Sequence, residues 1–276
     1  MSSTDYFDDH DAINAHMNDK IAVNTQLAAQ EHAAIADCLR QAGVDVQKVA
    51  APPNCQDGVY TANWALIAGN KAIMANLPNT RQAEQPYAAE TLLTRGYEIV
   101  KLPSEVHFSG QGDALPCGKY LFVGTTYRTS PEAHPLLAKH TGLNVVSLQT
   151  IPQLDPSGSP VINRITGWPD SFFYDLDLAL AVISPTCIAW CPDAFTASSQ
   201  AAIRAIADLD KIEVSLDEAM NGFACNLVST GEAVVMSDHA PQLKSALQKM
   251  GLTVYSPHVT ELLKGGGFIR CTTLTL

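Results

Sequence analysis

One unit recurs along this chain, and no other feature restricts its fold as much. The unit runs from a polar residue through an apolar strand, a tight turn, a second apolar strand and a helix to a final strand. Its first clear copy starts at Asn63, NWALIAGNKAIMANLPNTRQAEQPYAAETLLTRGYEIVKLP. There Gly69-Asn70 predicts a hairpin turn. Tyr87, Ala88, Leu92 and Leu93 share a helical face that Gly96 stops. Further copies start at Asp113, with a turn at Gly118-Lys119, Ser130-Pro131 opening its helix and Gly142 ending it, at Asp177, and at Asn226, with a turn at Gly231-Glu232 and a Gly251 stop. A fifth starts at Cys271, where only CTTLTL follows, and its other half is expected in KIAVNTQLAAQEHAAIADCLRQAGVDVQKV, residues 20–49. The starts at 63, 113, 177, 226 and 271 are spaced by 50, 64, 49 and 45, the long interval carrying the loop LDPSGSPVINRITGWPDS. This pattern predicts an α/β ring with pseudo-fivefold repeats, closed by the N- and C-terminal segments, as a single domain over 1–276.

Composition excludes several alternatives. With 46% hydrophobic and 16% charged residues the chain reads as compact, and a net charge of −11 argues against nucleic acid or an anionic membrane as partner. The longest apolar stretch, LALAVISPTCIAW, is interrupted by Pro185, so no transmembrane span is expected. The acidic start MSSTDYFDDHDAIN does not read as a signal peptide. Seven cysteines without a CxxC pair fit a reducing compartment, hence a cytoplasmic protein. Neither HExxH nor His-x-His occurs, so neither a metal nor another cofactor is expected. The expected partner is a small molecule, and a homo-oligomer is compatible with this reading.

In such a ring the equivalent positions converge on the axis. Asn63, Asp113, Asp177, Asn226 and Cys271 would then form a polar pocket around a thiol. The competing explanation is that Asp and Asn merely begin strands as turn formers.

The segments YTANWALI, FSGQGDAL, YRTSPEAHPLL, FYDLDLAL, FACNLVSTG and KGGGFIRCTTLTL resemble, in that order, the amidinotransferase-like or pentein superfamily. The similarity is to its arginine dihydrolase and dimethylarginine dimethylaminohydrolase branch. That resemblance implies a five-bladed α/β-propeller and a cysteine that attacks a guanidinium carbon to give a covalent thiouronium intermediate. It implies Cys271 as nucleophile and Asp177 as a carboxylate holding the guanidinium. Asn63 falls where the branch has an Asn or Asp touching substrate, and Arg128 on an arginine that meets a substrate carboxylate. Asn14 and Met17, in INAHM, match an N-terminal pocket segment. Two positions depart from the pattern: the usual general-acid histidine is Asp175, and the usual glutamate before Gly-x-Gly-Asp is Ser109. An aspartate shuttles protons near neutrality only where burial raises its pKa from about 3.9.

Three histidines are candidates to replace the missing one: His107, which shares the approach to the second copy, His134 and His258. Trp168 and Tyr174 are expected to wall the pocket, and the loop through WPDS to serve as a lid. The residues point to a cysteine hydrolase of a guanidino or amidino C–N bond. A pentein that binds a cationic amino acid without turning it over is the alternative, and a scaffold of the same fold is a third.

Overall fold

The computed structural model describes residues 1–18 and 20–276. Helix α1 (Thr25–Gln41) comes first, capped by Asn24, whose side chain accepts the Leu27 N–H. Ala28, Ile35, Ala36 and Leu39 are buried on one face of it, at the spacing an amphipathic helix requires. Four three-stranded sheets follow, all built alike. In the first, β1 (Ala65–Ala68) and β2 (Lys71–Met74) form a hairpin with Leu66 opposite Ile73. Gly69 makes the two-residue turn possible by adopting φ +60°. Helix α2 (Glu84–Leu93) then crosses over so that β3 (Glu98–Val100) lies parallel to β2, because a parallel neighbour cannot be reached by a tight turn.

The second unit contains β4 (Ala114–Cys117), β5 (Tyr120–Gly124), α3 (Ala133–Thr141) and β6 (Asn144–Leu148). The third contains β7 (Leu180–Ser184), β8 (Cys187–Trp190), α4 (Ala197–Arg204) and β9 (Asp210–Glu213). After the short α5 (Leu216–Gly222), the fourth contains β10 (Val228–Ser229), β11 (Ala233–Val235), α6 (Pro241–Lys249) and β12 (Thr253–Tyr255). Each repeats the antiparallel-then-parallel pattern, and β7 lies against both β4 and β10. Phe122, Ile188, Trp190 and Val234 on the middle strands are fully buried in the cluster that also receives Ile35 and Leu39 of α1. Such side chains each stabilise the fold by roughly 1.5–3 kcal/mol.

The fifth unit differs from expectation. Val49 pairs in parallel with Ser2, through Ser3 N–H to Val49 O and Val49 N–H to Met1 O, both 3.0 Å. Residues 20–23, expected as that strand, are not a strand: Ile21 is 53% exposed, and only Val23 packs against the core. Residues 271–276 are not a strand either. They are held instead by Ala62 N–H to Cys271 O and by the Thr61 hydroxyl to Thr272 O, both 3.0 Å, while Arg270 N–H reaches Asn226 O at 3.4 Å. The C-terminal segment thus bonds to the first unit on one side and to the fourth on the other. No helix among the described residues is long and apolar enough to cross a membrane.

Candidate active site

A single 3-10 turn precedes β1, β4 and β7, at Thr61–Trp64, Gly110–Gly112 and Leu176–Leu178. These turns bring Asn63, Asp113 and Asp177 inward, and all five repeat-start residues are buried. Cys271 sits between two of them. Its thiol accepts from Asn226 Nδ2 at 3.1 Å and faces Asp177 Oδ2 at 3.5 Å, while its backbone N–H donates to Asn226 Oδ1 at 3.2 Å. Burial, then the Asp177 charge, pushes the Cys271 thiol well above its ordinary pKa, and Asn226 acts in the opposite direction. Burial and Asp175 raise Asp177, with Arg270 drawing it down. Burial thus disfavours the ionised forms of both the Cys271 thiol and the Asp177 carboxyl, and a cation beside them acts in the opposite direction.

Asp175, two residues earlier, points the other way. Its Oδ2 accepts from Asn63 Nδ2 at 2.7 Å, and its Oδ1 is buried without a hydrogen-bond partner. Burial raises its pKa while Ser109, Arg128 and Asn63 lower it. Asp175 lines a narrow cavity together with Ser109, Arg128, Asn14, Asp57 and Tyr174. Asp177 lines a separate cavity that includes Arg270 and Gln111. The two carboxylates thus line different cavities on either side of the Leu176–Leu178 turn, close enough for the Asp175 charge to raise Asp177.

Two expected ligand-contacting residues have other work. The Asp113 carboxylate accepts the Leu176 N–H at 2.9 Å and bonds the Thr129 side chain, so it braces the 176–178 turn and does not line the Asp175 cavity. It packs so closely on Gly124 that a Cβ there would lie 1.8 Å from Asp113 Oδ1. The Asn63 amide is also committed: Nδ2 to Ser109 O, Ser109 Oγ and Asp175, and Oδ1 to Arg81. Arg128 does line the cavity, its guanidinium 5.0 Å from the Tyr174 ring, with Nη2 donating to Ile13 O at 2.8 Å and forming an ion pair with Asp170 Oδ1 at 3.7 Å. Asn14 reaches across to Gly265 O at 3.1 Å, and Met17 packs inward, its sulfur accepting the Ile13 N–H. The segment before α1 therefore covers the site.

None of the three candidate histidines lines the Asp175 cavity. His107 stacks on Trp168 with centroids 4.0 Å apart, His134 bonds Gly124 O, and His258 pairs with exposed Asp238. The loop before Trp168 is anchored to the N-terminal segment by Asn163 Nδ2 to Ala12 O at 3.1 Å.

Sequence reasoning missed Asp57, Arg81 and His16. Asp57 is buried, pushed up to about 7 by desolvation and partly restrained by Arg81. His16 packs on Phe172 at 4.2 Å and is lowered to about 4 by burial. Its only signal was its place in the INAHM segment. Among the described residues, Asp238, His239 and His258 bring possible metal-ligand atoms within 4.8 Å of one another. They are exposed and do not line this cavity.

A buried thiol held by Asn and Asp at the meeting of repeated ββαβ units defines the pentein class of site. A family model described as "N,N dimethylarginine dimethylhydrolase, eukaryotic" matches residues 3–276. The chain belongs to the dimethylarginine dimethylaminohydrolase family within the pentein superfamily. It is 32% identical over 267 residues to the N(G),N(G)-dimethylarginine dimethylaminohydrolase of Mycobacterium tuberculosis, covering 96% of this chain and 81% of that one. It is 30% identical over 279 residues to the bifunctional arginine dihydrolase/ornithine cyclodeaminase AgrE of Nostoc sp., covering 99% of this chain and 37% of AgrE. It therefore spans little more than a third of that relative's length. The crystal structure of the N-terminal domain of ArgZ bound to product, a cyanobacterial arginine dihydrolase, superposes with a TM-score of 0.87 at 28% identity, covering 99% of this chain and 95% of that one.

Proposed function

We propose that this protein is a hydrolase in which Cys271 cleaves a C–N bond of a small arginine-like guanidino or amidino compound. The observation that carries this reading is the Cys271 thiol held at 3.1 Å by Asn226 and at 3.5 Å by Asp177. In support, the N-terminal domain of an ArgZ variant has been crystallised covalently bound to a reaction intermediate. We further read the four sheets, with α1, residues 1–3 and the C-terminal segment, as a five-bladed ring forming one domain over 1–276.

A guanidinium seated against Cys271 and Asp177, near enough to Asp175 for their charges to interact, adds positive charge to the site. That charge favours the ionised forms of both carboxyls and the Cys271 thiolate together. Sγ then forms a bond to the guanidinium carbon, and the leaving amine departs with the proton given up by the thiol. Water next attacks the carbon, the C–S bond breaks, and the thiolate takes back a proton. Asp175 is the group placed to relay these protons, since its Oδ1 is partnerless and burial raises its pKa. Asp57 and Arg128, at the cavity wall, suit the ammonium and carboxylate of an amino-acid substrate.

Release of ammonia, urea or amine from arginine, N-methylated arginines and agmatine tests the reading, with Cys271→Ser alongside. Turnover of at least one compound, abolished by the substitution, is the expected result. Binding of these compounds without turnover would instead establish the alternative of a ligand-binding pentein. That alternative is favoured by Asp175 and Ser109 standing where the family's usual histidine and glutamate do.

A further inference from the structure

Arg81 stands outside the repeat-start positions, yet it is bonded to one of them. Its guanidinium is buried, with Nε donating to Glu84 Oε1 at 2.7 Å and Nη2 to Glu84 Oε2 at 2.9 Å. Nη2 also reaches Asp57 O at 3.1 Å, and Nη1 donates to Asn63 Oδ1 at 2.9 Å. Glu84 is in turn fixed by Trp64 Nε1 at 3.3 Å.

A guanidinium only donates, so its bond to Asn63 can be made only by the oxygen end of that amide. The nitrogen end must then face the opposite way, where it meets Asp175 Oδ2 at 2.7 Å, Ser109 Oγ at 3.0 Å and Ser109 O at 3.1 Å. Were the amide turned over, its oxygen would stand against Asp175 Oδ2 and Ser109 O, which accept and do not donate. Its nitrogen would point hydrogens at a guanidinium. Both ends would be mismatched in a site without solvent, an arrangement that costs several kcal/mol.

We propose that Arg81 is a positioning residue for Asp175. By fixing the Asn63 amide, it gives one Asp175 oxygen a permanent N–H donor and leaves Oδ1 for the ligand or the transferred proton. The donor favours the ionised carboxylate; its loss favours the protonated one. This inference rests on Asp175 being the proton relay, and its test reads Asp175 without turnover.

The experiment is a 13C NMR titration of the aspartate carboxyls in the full chain, with Asp175→Asn identifying the resonance. Removing Arg81 alone would strand a buried Glu84 charge, so Arg81→Met is paired with Glu84→Leu. This double change removes two opposite charges, and with them a direct Coulombic pull of Arg81 on Asp175 that acts in the same direction as the lost amide bond. The midpoint of Asp175 should rise by about one unit, a tenfold tighter proton, in the paired variant and also in Asn63→Leu. Adding the pair to Asn63→Leu should raise it by less than the pair does alone, because most of the effect of Arg81 passes through that amide and only the remainder through its own charge. An unmoved midpoint in the paired variant, or shifts that add, overturns the inference. If the paired variant does not fold, Arg81→Gln with Glu84→Gln takes its place, since a glutamine amide can donate or accept and does not dictate the Asn63 orientation, and the same two outcomes decide. The relay reading fails separately, if Asp175→Asn leaves the pH dependence of kcat/KM unchanged.

Discussion

Asn226 grips Cys271 at both ends of the residue: its Nδ2 donates to the thiol at 3.1 Å, and its Oδ1 accepts the Cys271 backbone N–H at 3.2 Å. One amide thus fixes where the sulfur is and favours its anion. Replacing Asn226 with Ala removes a bond to the thiolate of the kind worth about 1.5–3 kcal/mol. Alkylation of Cys271 by 2-chloroacetamidine, followed by intact mass, should slow by about tenfold or more. Asn226→Asp should slow it further, since a carboxylate beside Sγ raises the thiol pKa. Equal labelling rates in all three proteins would refute this role.

Arg128 offers a test of substrate class. Its guanidinium faces the cavity between Tyr174 and Asp170. Arg128→Met should raise KM for a carboxylate-bearing substrate by about 10- to 100-fold, the loss of one charge-assisted pair. Agmatine, which lacks that carboxylate, should be affected far less. A similar penalty on both compounds would mean that Arg128 serves the fold and not the substrate.

Stability should respond to pH through two opposed groups. Asp57 is held at about 7 by burial, above its unfolded value, so its contribution is complete near pH 4 and is lost as pH rises towards 7. His16 and His32, both lowered to about 4 by burial, contribute stability that is present above pH 6.5 and is lost as pH falls towards 4. Asp57→Asn removes one of the acids that oppose the histidines, so Tm of this variant should climb from pH 4 to 6.5 more steeply than that of the wild type. A further His32→Leu substitution should reduce that slope. Parallel Tm–pH curves for the three proteins would exclude the assignment.

Gly267 is a steric requirement of the site. A Cβ there would lie 2.3 Å from a Tyr60 ring carbon and 3.0 Å from the Cys271 Cβ. Tyr60 cannot yield easily, because its hydroxyl donates to Leu262 O at 2.6 Å from within the core. Gly267→Ala should lower the unfolding free energy by about 1–3 kcal/mol and slow Cys271 labelling. Unchanged denaturant midpoint and labelling rate would show that the segment accommodates the methyl.

The hairpins were legible in the sequence because Gly69-Asn70, Gly118-Lys119 and Gly231-Glu232 state their turns outright, and Cys271 was legible because its repeat position was. The pairing of Ser2 with Val49 was not: three residues carry no periodicity, and the more apolar KIAV attracted the assignment. The 3-10 turns before β1, β4 and β7 were invisible for the same reason. Asp57 and Arg81 sit in NCQDG and PNTRQAE, polar stretches that read as turns until the chain folds around them. The i, i+3 spacing of Arg81 and Glu84 was the one signal available. The bond from Leu176 N–H to Asp113 was not legible either, because a buried aspartate can brace a neighbouring turn as readily as it can meet a ligand.

The bonds that hold residues 270–273 have a consequence for how selectivity arises. Cys271 is joined to Asn226 and Asp177 across 45 and 94 residues, and Thr272 to Thr61 across 211. Contacts this distant form late, since the intervening chain must already be ordered. A partly folded molecule therefore has seven thiols with nothing to set one apart from the other six. The arrangement that seats a substrate against one particular sulfur appears only with the last closure, so selectivity and not intrinsic thiol reactivity is what the completed fold supplies.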